Sequence, residues 1–130
     1  MSMEKELLNT FDKELLLKDL CGRLAYGLKV KCEKYLFPVT ILYGGNIDEV
    51  KFIETGGIEN ICAIKPYLFP LSSMTEEQSK VYHELINGMF GTSALINFEV
   101  LTDFFNSNHL DYRGLIKRGL AIDATGLNIY

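Results

Sequence analysis

Cys21, Cys32, Cys62, His83 and His109 are the side chains of this 130-residue chain best able to hold a soft metal or attack a carbonyl. Their spacing serves neither purpose. Zinc sites are built from closely paired ligands such as C-x-x-C or H-E-x-x-H, and the chain has neither. It also lacks a G-x-S-x-G elbow and any glycine-rich phosphate loop. A Cys–His nucleophile needs its thiol in a polar, partly open cleft. Here all three thiols fall in the apolar phase of their elements, which predicts reduced, packed core cysteines that bind no metal. Glu76-Glu77 suits the positive end of a helix, and Asp48-Glu49 a turn beside a strand. His109 reads as a residue that caps or packs a helix–helix turn. No catalytic residue, metal or cofactor is assigned, and the chain reads as non-enzymatic.

The side chains left for function lie on a surface. Lys29 and Lys31 share the outward phase of one strand and Lys51 that of another, while Lys65 precedes Tyr67 and Phe69 in a Pro-Tyr-Leu-Phe-Pro stretch. Lysines interleaved with aromatic platforms are how small β domains track single-stranded nucleic acid. The alternative is a solvated sheet face neutralised by Glu33, Glu49 and Glu59, with Tyr67 and Phe69 packed beneath the helices. The second reading is preferred, because no half of the chain is basic. Residues 1–70 hold nine Lys/Arg against ten Asp/Glu, and residues 71–130 hold four against seven, for a net charge of −4. Nucleic-acid binding usually shows itself as clustered positive charge.

Hydrophobic residues are 48% of the chain and charged residues 23%, enough apolar surface to build a core and too much for a disordered segment. The length suits one domain spanning residues 1–130. No apolar run is long enough for a membrane helix, and the acidic start, Glu4 and Glu6, does not resemble a secretory signal. Three unpaired cysteines fit a reducing, cytoplasmic setting.

The elements that position the surface are an α+β set. A helix over 12–25 places Leu16, Leu17, Leu20, Cys21 and Leu24 inward and Lys13, Glu14, Lys18 and Asp19 outward, with Gly27 as its stop. An antiparallel β-meander over 28–64 follows, a small curled sheet that could take the form of an SH3-like roll. Its strands start near Leu28, Phe37, Glu49 and Ile58, and its turns fall at Gly44-Gly45-Asn46 and Gly56-Gly57. Two prolines predict an extended strap, neither strand nor helix, over 65–74. Helices then occupy 75–118: one capped by the Thr75/Gln78 box with Val81, Tyr82, Leu85, Ile86 and Met89 inward; one over 98–107 capped by Asn97, with Val100, Leu101, Phe104 and Phe105 inward; and one over 112–118 capped by Asp111 and ended by Gly119. The tail from Leu120 to Tyr130 is apolar enough to pack.

Three stretches carry a resemblance: Leu15–Gly27 (LLLKDLCGRLAYG), Ile64–Gln78 (IKPYLFPLSSMTEEQ) and Asp111–Ala121 (DYRGLIKRGLA). They resemble a family found in gut anaerobes of the Bacteroides group and in their phages and mobile elements. Ala25 stands where that family has proline, and Phe69 where it has arginine. The resemblance implies an accessory protein of a phage or integrated element, and it transfers no functional residue. Taken together, the sequence predicts a binding or adaptor domain with a protein partner. The alternative is a nucleic-acid accessory protein using Lys29, Lys31, Lys51, Lys65, Tyr67 and Phe69.

Overall fold

The computed structural model describes residues 9–46, 49–88 and 94–130. Helix α1 (Thr10–Arg23) starts two residues earlier than its apolar periodicity predicts, because the Asn9 side chain accepts the Asp12 N–H at 2.8 Å and caps it. A 3-10 turn (Leu24–Tyr26) leads to Gly27, whose φ of 67° is the predicted left-handed stop. Strands β1 (Lys29–Cys32), β2 (Val39–Asn46), β3 (Glu49–Phe52) and β4 (Ile58–Asn60) form the antiparallel meander. The rest of the chain supplies β5 (Ile64–Pro70), α2 (Glu76–Gly88), α3 (Ala94–Ser107), β6 (Leu110–Asp111) and β7 (Ile122–Asp123).

Among the described residues the strands make one sheet in the order β4-β3-β2-β1-β5-β6, with β7 also on β5. The expected strap is therefore a strand. β5 runs antiparallel to β1 through Val30↔Pro66, Lys31↔Lys65 and Cys32↔Ile64, and parallel to β6 and β7. The prolines are tolerated because of their parity. The Leu68 carbonyl accepts the Ala124 N–H, so Pro66, Leu68 and Pro70 turn their backbone groups toward the β7 edge. β7 pairs only Tyr67 and Leu68, so neither proline is asked for an N–H there.

Alternation sends Leu28, Val30, Cys32, Val39, Ile41, Val50, Phe52, Ile64 and Leu68 to one face, where they pack on Leu16 and Leu20 of α1 and on Leu115 and Leu120. A second core gathers Leu101, Phe105 and Leu110 with Phe69, Met74, Tyr82, Leu85 and Ile86. The close approach of α1 to α3 is set at Gly22, where a Cβ would lie 3.2 Å from the Asn106 Nδ2.

Several expectations need correction. Asp19 is not on the wet side of α1; it is fully buried with Arg23, and the buried stripe is Leu16, Asp19, Leu20 and Arg23. Cys21 is consequently exposed, while Cys32 is buried and Cys62 lies between. β2 runs through Gly44 and Gly45 to Asn46, which pairs with Glu49. Two register shifts mark extra residues on β2, so these glycines serve irregularities in the strand and not the predicted turn. α3 begins at Ala94, so Asn97 is inside the helix and not its cap, and Val100 stays 42% exposed. Val81 on α2 is 38% exposed as well, and Met89 lies outside the described residues.

No fourth helix forms over 112–118. Gly114 takes φ 75°, which interrupts any helical run, and Asp111 instead receives the Leu115 and Ile116 N–H groups at 2.8 and 2.9 Å on a single turn.

The capping box at α2 is present in both directions: Thr75 Oγ1 accepts the Gln78 N–H at 3.1 Å, and Gln78 Oε1 accepts the Thr75 N–H at 3.0 Å. Thr75→Ala is expected to lower stability by about 0.5–2 kcal/mol in urea unfolding, with an unchanged m-value. A thiol reagent without denaturant is expected to label Cys21 fast, and Cys32 only at the rate of unfolding; equal rates would contradict the burial order.

Candidate binding face on the outer side of the sheet

Opposite the core, the same alternation gathers Lys29 and Lys31 of β1 with Lys65 and Tyr67 of β5, on adjacent strands. Lys31 and Lys65 are exposed and stand directly across from each other in register. Directly opposed positions are roughly 5 Å apart at Cβ, and like charges there repel. In bulk water the repulsion is below about 1 kcal/mol. The ion pairs of Asp12 with Arg118, of Asp19 with Arg23 and Arg113, and of Glu59 with Lys34 do not involve Lys31 or Lys65.

Lys29 differs from that pair. Its charge helps hold the Glu54 carboxylate, which binds Thr40 N–H at 2.7 Å and the Thr40 hydroxyl at 2.9 Å. Burial works to raise the Glu54 carboxyl, but the backbone and hydroxyl hydrogen bonds, with Lys29 nearby, hold it below its ordinary value.

The structure does not unite the whole predicted set. Lys51 points outward from β3, two strand spacings or about 10 Å from β1, and it has interactions of its own. Phe69 is half-buried in the second core, with its ring 6.0 Å from that of Tyr130, so it offers no stacking platform. Tyr67 is half-buried beside the lysines, where its carbonyl accepts the Tyr130 hydroxyl at 2.9 Å.

The sequence reading missed the apolar part of this face. Leu42, Ile53 and Ile58 are 46%, 57% and 53% exposed. Ile58 on β4 pairs with outward Lys51 of β3, and Ile53, next after inward Phe52, bonds its N–H to the Thr40 carbonyl of β2, which places both on the outer side. Fully exposed Leu36, with exposed Phe37, stands in the loop between β1 and β2. A period-two reading of Lys65-Pro66-Tyr67-Leu68 would have found β5, had the prolines not argued against it.

Tyr130 closes one end of the lysine row. Its hydroxyl accepts the Lys29 N–H at 2.9 Å and donates to the Tyr67 carbonyl, standing in for a rung of the β1–β5 ladder. Burial pushes this phenol up to about 12, so it keeps the proton it donates. The His109 ring, with φ 56°, stacks on Tyr130 at 3.7 Å and 10°. Burial first, and then the Arg23 guanidinium, hold the His109 imidazole down at about 4.

Other surfaces converge less. A groove of about 530 Å³ along α1 is lined by Phe11, Glu14, Leu15, Leu17, Lys18 and Cys21, with both signs of charge and no polar groups aimed at a common point. Among the described residues no three His, Cys, Asp or Glu side chains gather as a metal site, and no helix is long and apolar enough to cross a membrane. His83 Nδ1 lies 2.7 Å from the Ser79 carbonyl of its own helix. No known protein family, curated protein or solved structure matches the chain.

The His109 environment sets an acid response. Its folded value of about 4 lies below the ordinary 6.5, so the unfolded chain binds more protons between them, and stability falls as pH drops from 6.5 toward 4. His109→Asn keeps a residue that tolerates positive φ and removes the titration. Its thermal midpoint should fall less steeply across that window than that of the wild type; parallel curves would exclude His109 as the source.

Proposed function

We propose that the chain is a non-enzymatic binding or adaptor domain that engages a protein partner through the outer face of its sheet. The observation that supports this best is the exposure of Leu42, Ile53 and Ile58 together on a face that also bears lysines. Contiguous exposed apolar side chains rimmed by charge are the mark of an interaction surface, whereas scattered single ones are ordinary. A protein partner answers both components, because apolar contact supplies affinity and charge supplies orientation.

The second reading, a nucleic-acid accessory protein, keeps the lysines in its favour. It loses Phe69 as a stacking platform and faces a chain with net charge −4. An accessory role in a phage or mobile element rests on the sequence resemblance, and a cytoplasmic setting on the three unpaired cysteines. A meander curled as an SH3-like roll would suit a small adaptor of this kind.

A photo-crosslinking residue placed at Leu42 or Ile53, in the cells that make the protein, should yield one discrete protein adduct. The same residue at exposed Lys80 on α2 should not. Adducts to nucleic acid would promote the second reading, and equal yields from Lys80 would remove the face from consideration.

A further inference from the structure

We propose that Lys31 and Lys65 form a two-armed carboxylate clamp, through which the outer face holds an acidic segment of a protein partner. The proposal rests on the reading of that face as a protein-binding surface and names the chemistry of what binds there.

The strand register is the first ground. Lys31↔Lys65 is a directly opposed pair on adjacent strands, an arrangement that repels in the free protein. An anion set between the two ammonium groups turns that repulsion into two attractions. The second ground is how the neighbouring charges are used. The charge of Lys29 acts on the Glu54 carboxylate, Lys51 has its own interactions, and Lys34 pairs with Glu59 at 2.8 Å. The ion pairs Arg23–Asp19, Arg113–Asp19, Lys34–Glu59 and Arg118–Asp12 leave Lys31 and Lys65 out, so both ammonium groups are available to a partner's carboxylate. Both side chains are exposed, on long flexible stems able to close on one carboxylate from two strands.

The third ground is the choice among anions. A phosphate polymer would bring a row of charges against a chain with seventeen Asp/Glu and thirteen Lys/Arg, and it would need base-stacking surfaces that Phe69, sunk in the second core, does not supply. A short peptide bearing carboxylates and aliphatic side chains meets both halves of the face. Its acids fall on Lys31 and Lys65, and its apolar groups on Leu42 and Ile53, one and two strands from β1 across the sheet.

Backbone amide NMR of the full chain would be followed while adding an end-blocked peptide of alternating Glu and Leu. Parallel titrations would use its Gln/Leu counterpart, an oligothymidylate of equal charge, and inorganic phosphate. The Glu/Leu peptide should shift residues 29–31 and 64–67 saturably, and the Gln/Leu peptide should bind at least about tenfold more weakly. Lys31→Ala and Lys65→Ala should each weaken Glu/Leu binding by roughly two- to fivefold. Lys31→Glu should abolish binding yet raise the melting midpoint by about 2–4 °C, because an opposed Glu–Lys pair replaces two lysines.

Equal binding of the Glu and Gln peptides, with shifts at Leu42, Ile53 and Ile58 only, would overturn the clamp and leave the apolar face standing. If neither peptide shifts any outer-face residue, both readings fail. Tighter, steeply salt-dependent binding of the oligothymidylate, or of free phosphate at the same two lysines, would overturn the assignment to a protein carboxylate. A lower melting midpoint for Lys31→Glu would remove the like-charge argument itself.

Discussion

The architecture depends on a guanidinium with no exposure to water. Arg23, near the end of α1, gives Nε to Asp19 Oδ2 at 2.8 Å and Nη2 to Asp19 Oδ1 at 3.1 Å, and the same Nη2 reaches the Leu110 carbonyl at 2.7 Å. Its Cζ lies 5.5 Å from the Tyr112 ring centre. Arg113 Nε stands 3.3 Å from Asp19 Oδ1, within ion-pair distance though not aligned as a hydrogen bond. Taking these charges out of water costs several kcal/mol per ion, and removing one partner from such a pair typically costs about 3–5 kcal/mol. What that expenditure brings is location: Arg23 spans the seam between the core under α1 and the core that holds Leu110.

The same pair sets the rotation of α1. An apolar stripe alone would bury Leu17, Cys21 and Leu24; burying Asp19 and Arg23 turns the helix so that Leu16 and Leu20 meet the sheet and Cys21 faces solvent. Around the seam the polar groups follow suit. Asp111 satisfies two backbone N–H groups of the following turn, and Phe105 stacks on Tyr112 at 4.9 Å and 15°. β5 completes the joint. It shares β1 with the first core through Val30↔Pro66 and sends Phe69 into the second, while the Phe69 N–H takes the His109 carbonyl at 2.8 Å.

A sheet held this way has one occupied face and one that its helices leave largely open. α1 fills the inner side, and the second core covers the outer side only where Phe69 ends β5. The remainder, from Lys65 across to Ile58, displays the opposed pair Lys31 and Lys65 and the exposed side chains of Leu42, Ile53 and Ile58. Positions where local energetics are unfavourable and no internal partner compensates are where function is to be sought.

Much of the fold was legible in the chain. The α+β order, the antiparallel meander, the Thr75 capping box and the Gly27 stop are local devices, written in period-two alternation, glycine placement and cap chemistry that act over a few residues. Lys29, Lys31 and Lys51 were legible as outward lysines for the same reason. What could not be read locally was decided by pairing across the sheet and by buried charge. Whether Pro66 and Pro70 can sit in a strand depends on which edge their missing N–H groups face, and that is known only once β7 is placed. Asp19 looks like any solvated helix acid until Arg23 and the distant Arg113 close around it, with Arg23 held in turn by the Leu110 carbonyl. The opposition of Lys31 to Lys65 joins residues 34 positions apart, and no property of either segment alone specifies it. Sequence by itself determined the meander strands and their faces, the capping box of α2 and the Gly27 stop, because those follow from nearest-neighbour backbone physics. Tertiary structure alone decided which faces meet, which charges are buried, and which two lysines stand unanswered on the open side of the sheet.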